Sequence, residues 1–285
     1  YQNKLPIKFN KNVKNLGFAL NAMKVVSMSS GDYVWMIGND DLILPDTLLE
    51  IKNLLKKNKD VEYFFVNSFH LKSKFLEEYE KPFDTRNLPL EKMKTISKLK
   101  QDKQATFWDV IDPDVSWDYL TGIFLSIFKR EKWEKNKSLL NLKQLEDNRY
   151  WSTSDNTLMH AKIFCRSFKN SKCFISAKPL SVNLIGEREW GDLYEFIEIV
   201  RIPEIIEFYR SEGLSFKKYF YNKNFALRNY LNYLIKIILG GKKKGLNYLN
   251  FKRDIIDNLI FPNVYLSIFF SGLRYIKKSI TKLDR

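Results

Sequence analysis

Apolar residues first gather into an unbroken run at Tyr33-Val34-Trp35-Met36-Ile37. A short β-branched and aromatic run of this kind suits a strand covered on both faces, as in a largely parallel sheet. It stops at Gly38, and Asn39, Asp40 and Asp41 follow. Upstream, residues 17–29 carry Phe18, Leu20, Met23, Val25 and Val26, and their helix-spaced subset predicts one face packed on that sheet. Downstream, Pro45 to Lys57 sets Leu48, Ile51, Leu54 and Leu55 at helical spacing and ends on basic residues. Val61 to Val66 reads as another buried strand. Strand, helix and strand with a crossover of this length imply a right-handed parallel unit. Ile7 and Phe9 alternate as in a short amino-terminal strand.

The pattern then weakens. Residues 67–104 are lysine-rich, carry Pro82 and Pro89, and read as an insertion over one face of the sheet, a lid in character. Order returns over 106–130, where an acidic loop, Trp108 to Asp114, precedes a strand-like run from Tyr119 to Arg130. Ser154-Asp155 opens a helix through Leu158, Ala161 and Phe164, and Pro179 to Ile185 reads as a strand. In residues 263–283, Ser267, Ser271, Arg274, Lys278 and Lys282 recur at intervals of three or four. Leu266, Phe269, Phe270, Leu273, Ile276, Ile280 and Leu283 fill the other side, giving an amphipathic helix with a basic face. The chain therefore divides into residues 1–105, 106–190 and a helical carboxy-terminal region, 191–285. The class is α/β: an open, mostly parallel sheet flanked by helices.

Composition changes this picture in two ways. Only Cys165 and Cys173 are present, which fits packing in a reducing cytosol rather than a disulfide framework. With His70 and His160 as the only histidines, a His-rich zinc site is excluded. The net charge of +15 is concentrated at one end: residues 215–285 hold 15 Lys/Arg against three Asp. Such a tail indicates an anionic partner surface. Its aromatics lie on the apolar helix face and do not interleave with lysines as a base-stacking platform needs, so no nucleic acid is expected.

The chemistry centres on Asp40 and Asp41. Adjacent carboxylates at the carboxyl end of a buried strand repel each other, and a hard divalent cation with oxygen ligands is the usual partner. That edge is also where open α/β sheets bind ligands. The alternative is a polar turn with Asp41 or Asp46 capping the next helix. Asn15 likewise stands where it can cap the helix at Gly17 or position a ligand.

Asn15-Leu16-Gly17-Phe18-Ala19-Leu20-Asn21, followed by Gly31-Asp32-Tyr33 and the carboxylate pair, resembles the family 2 glycosyltransferases of the glycosyltransferase-A fold. There, an N-x-G-x-x-x-N helix start precedes a G-[DE]-Y strand that ends in a DxD-type motif. The resemblance runs from about Lys4 to Val66 and is weaker beyond. It departs at Gly38 and Asn39, one of which is often Asp in the family, so one formal charge is missing. The resemblance implies a nucleotide-sugar donor held by Asn15, Gly17, Asn21 and Asn39, and a divalent metal, Mn or Mg, on Asp40 and Asp41. It assigns the acceptor base to Asp155, where the family has an E-D pair at a helix start; capping is the other reading of that residue, with Glu146 and Asp147 as runner-up bases. Trp190, in a loose echo of a Q-x-x-R-W segment, would stack on a sugar ring or pack in the core. That segment lacks its Gln and has Arg188 one place off, which favours single transfer. Family members begin with a strand–helix–strand unit that nothing here matches, so an amino-terminal truncation is expected.

The function implied is inverting, metal-dependent transfer of a sugar to a surface-glycan or lipid-linked acceptor of bacterial type. The location expected is cytoplasmic, peripheral on the inner face of the membrane. The competing reading is a non-enzymatic basic adaptor that binds anionic lipid, or nucleic acid, through its carboxy-terminal helices.

Overall fold

The computed structural model describes residues 6–146, 151–186, 191 and 193–269. Its centre is one mixed sheet of seven strands: β1 (Tyr33–Trp35), β2 (Asp41–Ile43), β3 (Tyr63–Lys72), β4 (Lys94–Thr95), β5 (Lys103–Thr106), β6 (Ser126–Lys129) and β7 (Lys172–Ile185). The path across it is β1-β6-β3-β7-β2, with β4 beside β3 and β5 beside β7. Eleven helical segments are described: α1 (Gly17–Met28), α2 (Thr47–Lys57), α3 (Phe107–Val110), α4 (Arg130–Asn136), α5 (Leu142–Leu145), α6 (Ser154–Thr157), α7 (Met159–Phe168), α8 (Tyr194–Phe196), α9 (Ile202–Ser211), α10 (Phe216–Ala226) and α11 (Tyr230–Gly240). Residues 262–269 are helical as well.

The α/β class with flanking helices and a helical carboxy-terminal region stands as expected. The strand directions are more mixed than a mostly parallel sheet: β3–β7 is the one parallel pair among the described residues. The strand–helix–strand unit β1-α2-β3 does run parallel, but β6 is inserted between its strands, antiparallel to both. The sheet alternates as its pleat demands. Tyr63 and Phe65 join the main core with Val26, Phe128, Phe164 and Ile175, while Phe64 and Val66 pack with Ile51, Leu54 and Leu55 of α2. Tyr63 is the hub of the first side. It meets the rings of Phe107, Tyr119, Phe164 and Phe168, and its hydroxyl bonds Ser126 at 2.6 Å.

Four segments differ from the sequence reading, the first being the acidic loop from Trp108, which begins inside α3 with Asp109 in a capping box to Thr106. Residues 6–12 form no strand, and Ile7 and Phe9 are exposed. The run from Tyr119 to Arg130 is a strand only over β6; two 3₁₀ turns, Asp118–Leu120 and Ile123–Leu125, precede it. The stretch read as a lid is a packed satellite. Leu71, Leu76, Leu88 and Met93 bury themselves against Val182, and β3 itself runs on to Lys72. The β3–β7 register shifts at Asn67, whose Oδ1 accepts from Ser68 N and Ser97 N and whose Nδ2 donates to Ala177 O at 2.8 Å.

The carboxy-terminal region is continuous with the core. Ile197, Ile202, Ile205, Ile206, Tyr209 and Ala226 belong to the same cluster as the sheet. Between α8 and α9 the helix widens into a π turn, Ile197–Arg201. Pro203 explains it, since it has no N–H to offer the carbonyl one turn back.

Candidate functional site

The chain leaves β1 at one edge of the sheet and returns as β2 at the other, so residues 36–40 span the strands between. Asp41 opens β2 rather than a loop. Its Oδ1 accepts from Asn183 Nδ2 at 2.6 Å and its Oδ2 from Gly38 N at 3.0 Å, which offsets the repulsion from Asp40. Asp40 is exposed. The two carboxylates converge over Gly38: a Cβ there would stand 2.5 Å from Asp40 Oδ1 and 3.0 Å from Asp41 Oδ2. Glycine keeps that space open. Two convergent carboxylates fit a magnesium-type ion, which takes one or two protein carboxylates and fills its remaining positions with phosphate oxygens and water. No group of three or more His, Cys, Asp or Glu placed to hold a metal occurs among the described residues, so a closed all-protein site does not fit.

Helix α1 begins in a polar hollow of about 430 Å³ that brings together Asn15, Gly17 and Asn21. Gly17 has φ +72°, a conformation that favours glycine, and its N–H donates to Asn15 Oδ1 at 2.8 Å. That bond is a local turn ahead of the helix: the N-cap of α1 is Leu16, so Asn15 does not stand at the cap position. Asn21 Oδ1 accepts from Asn12 Nδ2 at 2.9 Å. For the capping alternative at the next helix, Asp46 precedes α2 in a left-handed conformation and its side chain makes no cap bond.

Phe18 of α1 also lines a second cavity, of about 560 Å³, where the two halves of the chain meet. Asn39 enters it from the carboxylate turn, Trp117 and Asp118 from the loop before β6, Asn156 and Thr157 from α6, and Tyr194 and Glu198 from the widened helix. The walls are mainly apolar with a few polar groups, the usual character of a small-molecule site. Asp155 sits beside this cavity without lining it. The cap of α6 is Thr153, which accepts from Asn156 N, so the capping reading of Asp155 is not realised. The Asp155 carboxylate instead pairs with Lys162 and accepts from Asn141 N at 3.1 Å, and the residue is 7% exposed. Arg201, from the π turn, sets the approach to α6: its guanidinium donates to Trp151 O and Ser152 O and pairs with Glu204.

Sequence reasoning missed two acidic groups here. Asp118 faces the cavity and is backed by His70 of β3, Nε2 to Oδ2 3.3 Å. His70 is 48 residues away in sequence, and the only signal for Asp118 was its position just past the acidic loop. Glu198 is 1% exposed and pairs with Arg228 at 2.6 Å. Burial raises its carboxyl above the ordinary range, against the opposing pull of Arg228. Arg228 in turn lies over the Phe225 and Trp117 rings, 4.3 and 5.2 Å from their centres. The expected sugar-stacking Trp190, Arg188 and the runner-up base Asp147 lie outside the described residues.

Over residues 1–114 the sequence matches the model of Glycosyl transferase family 2. A stretch of 56 residues is 36% identical to abequosyltransferase RfbV of Salmonella typhimurium, covering 20% of this chain and 17% of that protein. Among solved structures, the chain is similar to S. aureus TarS 1-349 in complex with UDP-GlcNAc, with a TM-score of 0.48 and 13% identity over 94% of this chain and 64% of that one. The chain thus spans less than two thirds of the length of either relative. The carboxylate turn and the helix start before it fall inside the segment that matches the family model.

Proposed function

We propose that the protein is a glycosyltransferase that moves a sugar from a nucleotide-sugar donor to a surface-glycan or lipid-linked acceptor, in one inverting displacement. The carrying observation is the junction of the two halves. Asn39, beside the carboxylate turn, opens onto the same cavity as Asp118, Asn156 and Glu198. Asp40 and Asp41, helped by the Asn39 carbonyl, would hold Mn or Mg. Bound there, the ion would offset the charge of the diphosphate leaving group. Asn15, Gly17 and Asn21 border the donor side, and the chain works in the cytoplasm, peripherally on the inner face of a membrane.

The acceptor hydroxyl needs a carboxylate within hydrogen-bond reach. The helix-start motif nominates Asp155, but Lys162 and Asn141 already occupy its oxygens. Asp118 is the better placed: it faces the cavity, and His70 behind it fixes its orientation. The test is nucleotide release from a panel of nucleotide sugars, with Mn, with Mg and with chelator, in wild type and Asp40→Ala. Metal-stimulated release that Asp40→Ala abolishes is the expected result. No release and no donor binding across the panel would overturn the reading in favour of the adaptor.

A further inference from the structure

Helical periodicity placed Ser267 on an outward polar face, with Leu266 and Phe269 opposite. The described part of that helix is turned the other way. Ser267 and Val264 are buried, while Tyr265, Leu266, Ile268 and Phe269 are exposed. The cause is a single hydroxyl. Ser267 Oγ accepts from Leu231 N at 3.0 Å and donates to Val264 O, satisfying an N–H of the first turn of α11 that has no partner within its own helix. The residues this leaves outward are apolar.

α11 shows the same arrangement. Tyr230 and Ile237 are buried with Phe261 and Val264, while Ile235, Ile238 and Leu239 are exposed, Leu239 to 82%. The Ser267 bond and this shared cluster hold the two helices together, so their exposed apolar side chains stand on adjoining elements. Of the large apolar side chains exposed among the described residues, twelve lie between Ile235 and Phe269. Gathered apolar exposure of this extent marks a surface that meets something other than water.

We infer that this surface, the outward faces of α11 and of residues 259–269, is the face that enters the interface of an anionic bilayer. Charge selects that occupant. The turn Gly241–Lys244 follows α11 directly, and Lys242 and Lys243 on it are exposed. Residues 215–285 as a whole hold 15 Lys/Arg and three Asp; Lys218, Lys223, Arg228, Lys236 and Arg253 pair with carboxylates elsewhere in the chain, and the excess remains basic. A second copy on the same face would bring two strongly basic regions together, whereas anionic headgroups meet lysines while the apolar side chains enter the acyl boundary. Among the described residues no helix is long and apolar enough to cross a membrane, and contact from one side needs none. The inference names the surface behind the peripheral position proposed above and is read without sugar transfer, so the two can fail separately.

The experiment is co-sedimentation of the full chain with phosphatidylcholine vesicles and with vesicles containing about one-third phosphatidylglycerol. Binding should need the anionic lipid and weaken, without vanishing, as salt rises. Ile238→Glu with Leu239→Glu, and separately Leu266→Glu with Ile268→Glu, should each lower binding about tenfold or more, with unchanged melting and nucleotide release. Should a pair unfold the chain, the single Leu239→Asn carries the test. Variants that bind as wild type overturn the inference. So does a wild-type dimer in light scattering that Leu239→Glu splits, since a second copy would then be the occupant. So does complete loss of binding on removing only residues 270–285, which would place the lipid contact there.

Discussion

At the scale of single residues, partners decide roles. Asp155 and Asp118 are both carboxylates beside one cavity, but Asp155 is nearly buried and paired with Lys162, whereas Asp118 is open on one side and backed by His70. Asp118→Asn is therefore expected to keep donor binding and lose about two orders of magnitude in turnover. Asp155→Asn should keep most of the rate and lose stability through a weakened Lys162 pair. Rates and melting curves of both variants check this, and the reverse result restores Asp155 as the base. His160 gives a second test. It is 1% exposed, beneath Phe18, and burial pushes its pKa down to about 4. The unfolded chain binds that proton near the ordinary histidine value, so folding loses stability as pH falls from about 6.5 towards 4. The contribution amounts to roughly 3 kcal/mol. A His160→Leu chain should show a flatter acid limb in melting temperature against pH.

At the scale of elements, the widened helix from Tyr194 to Ser211 carries the most. It delivers Glu198 to the cavity wall and Arg201 to the carbonyls before α6. Removing one member of a buried ion pair strands the other, so Arg228→Ala should cost about 3 kcal/mol in denaturant unfolding. Adding Glu198→Gln to that chain should recover most of the loss, because no charge is then left buried. Little of this was legible in sequence. What could be read was local: Val26 of α1, Ile51, Leu54 and Leu55 of α2, the buried strand in Val61 to Val66, and the arrest of the apolar run at Gly38, whereas Phe18, Val25 and Leu48 are exposed. The rest depends on distant partners. The insertion of β6 between β1 and β3 is a pairing across about sixty residues or more, which no periodicity encodes. Leu71, Leu76, Leu88 and Met93 fit neither a helical nor a strand period, so their satellite core looked like a lid. Ser267 turns inward for an N–H that belongs to another helix.

At the scale of the molecule, the basic tail is a clamp as well as a surface. Lys218 pairs with Asp109, Lys223 with Glu207, Arg228 with Glu198, and Arg253 with Glu204. Of these, Lys218–Asp109 crosses to the part that carries the sheet and the other three hold the carboxy-terminal helices to one another, while the shared apolar cluster joins the region to the sheet. The chain should melt in a single calorimetric transition, and a version ending at residue 190 should be insoluble. Two separated transitions would instead make the carboxy-terminal region an independent unit. The span between β1 and β2 has a further consequence. Its ends are anchored at opposite margins of the sheet, so its length acts as a gauge that sets where Asn39 and Asp40 stand above the strands. Lengthening it by even one residue would detune the site while leaving every strand paired. The span is therefore held to its count of residues as well as to Gly38 and Asp40.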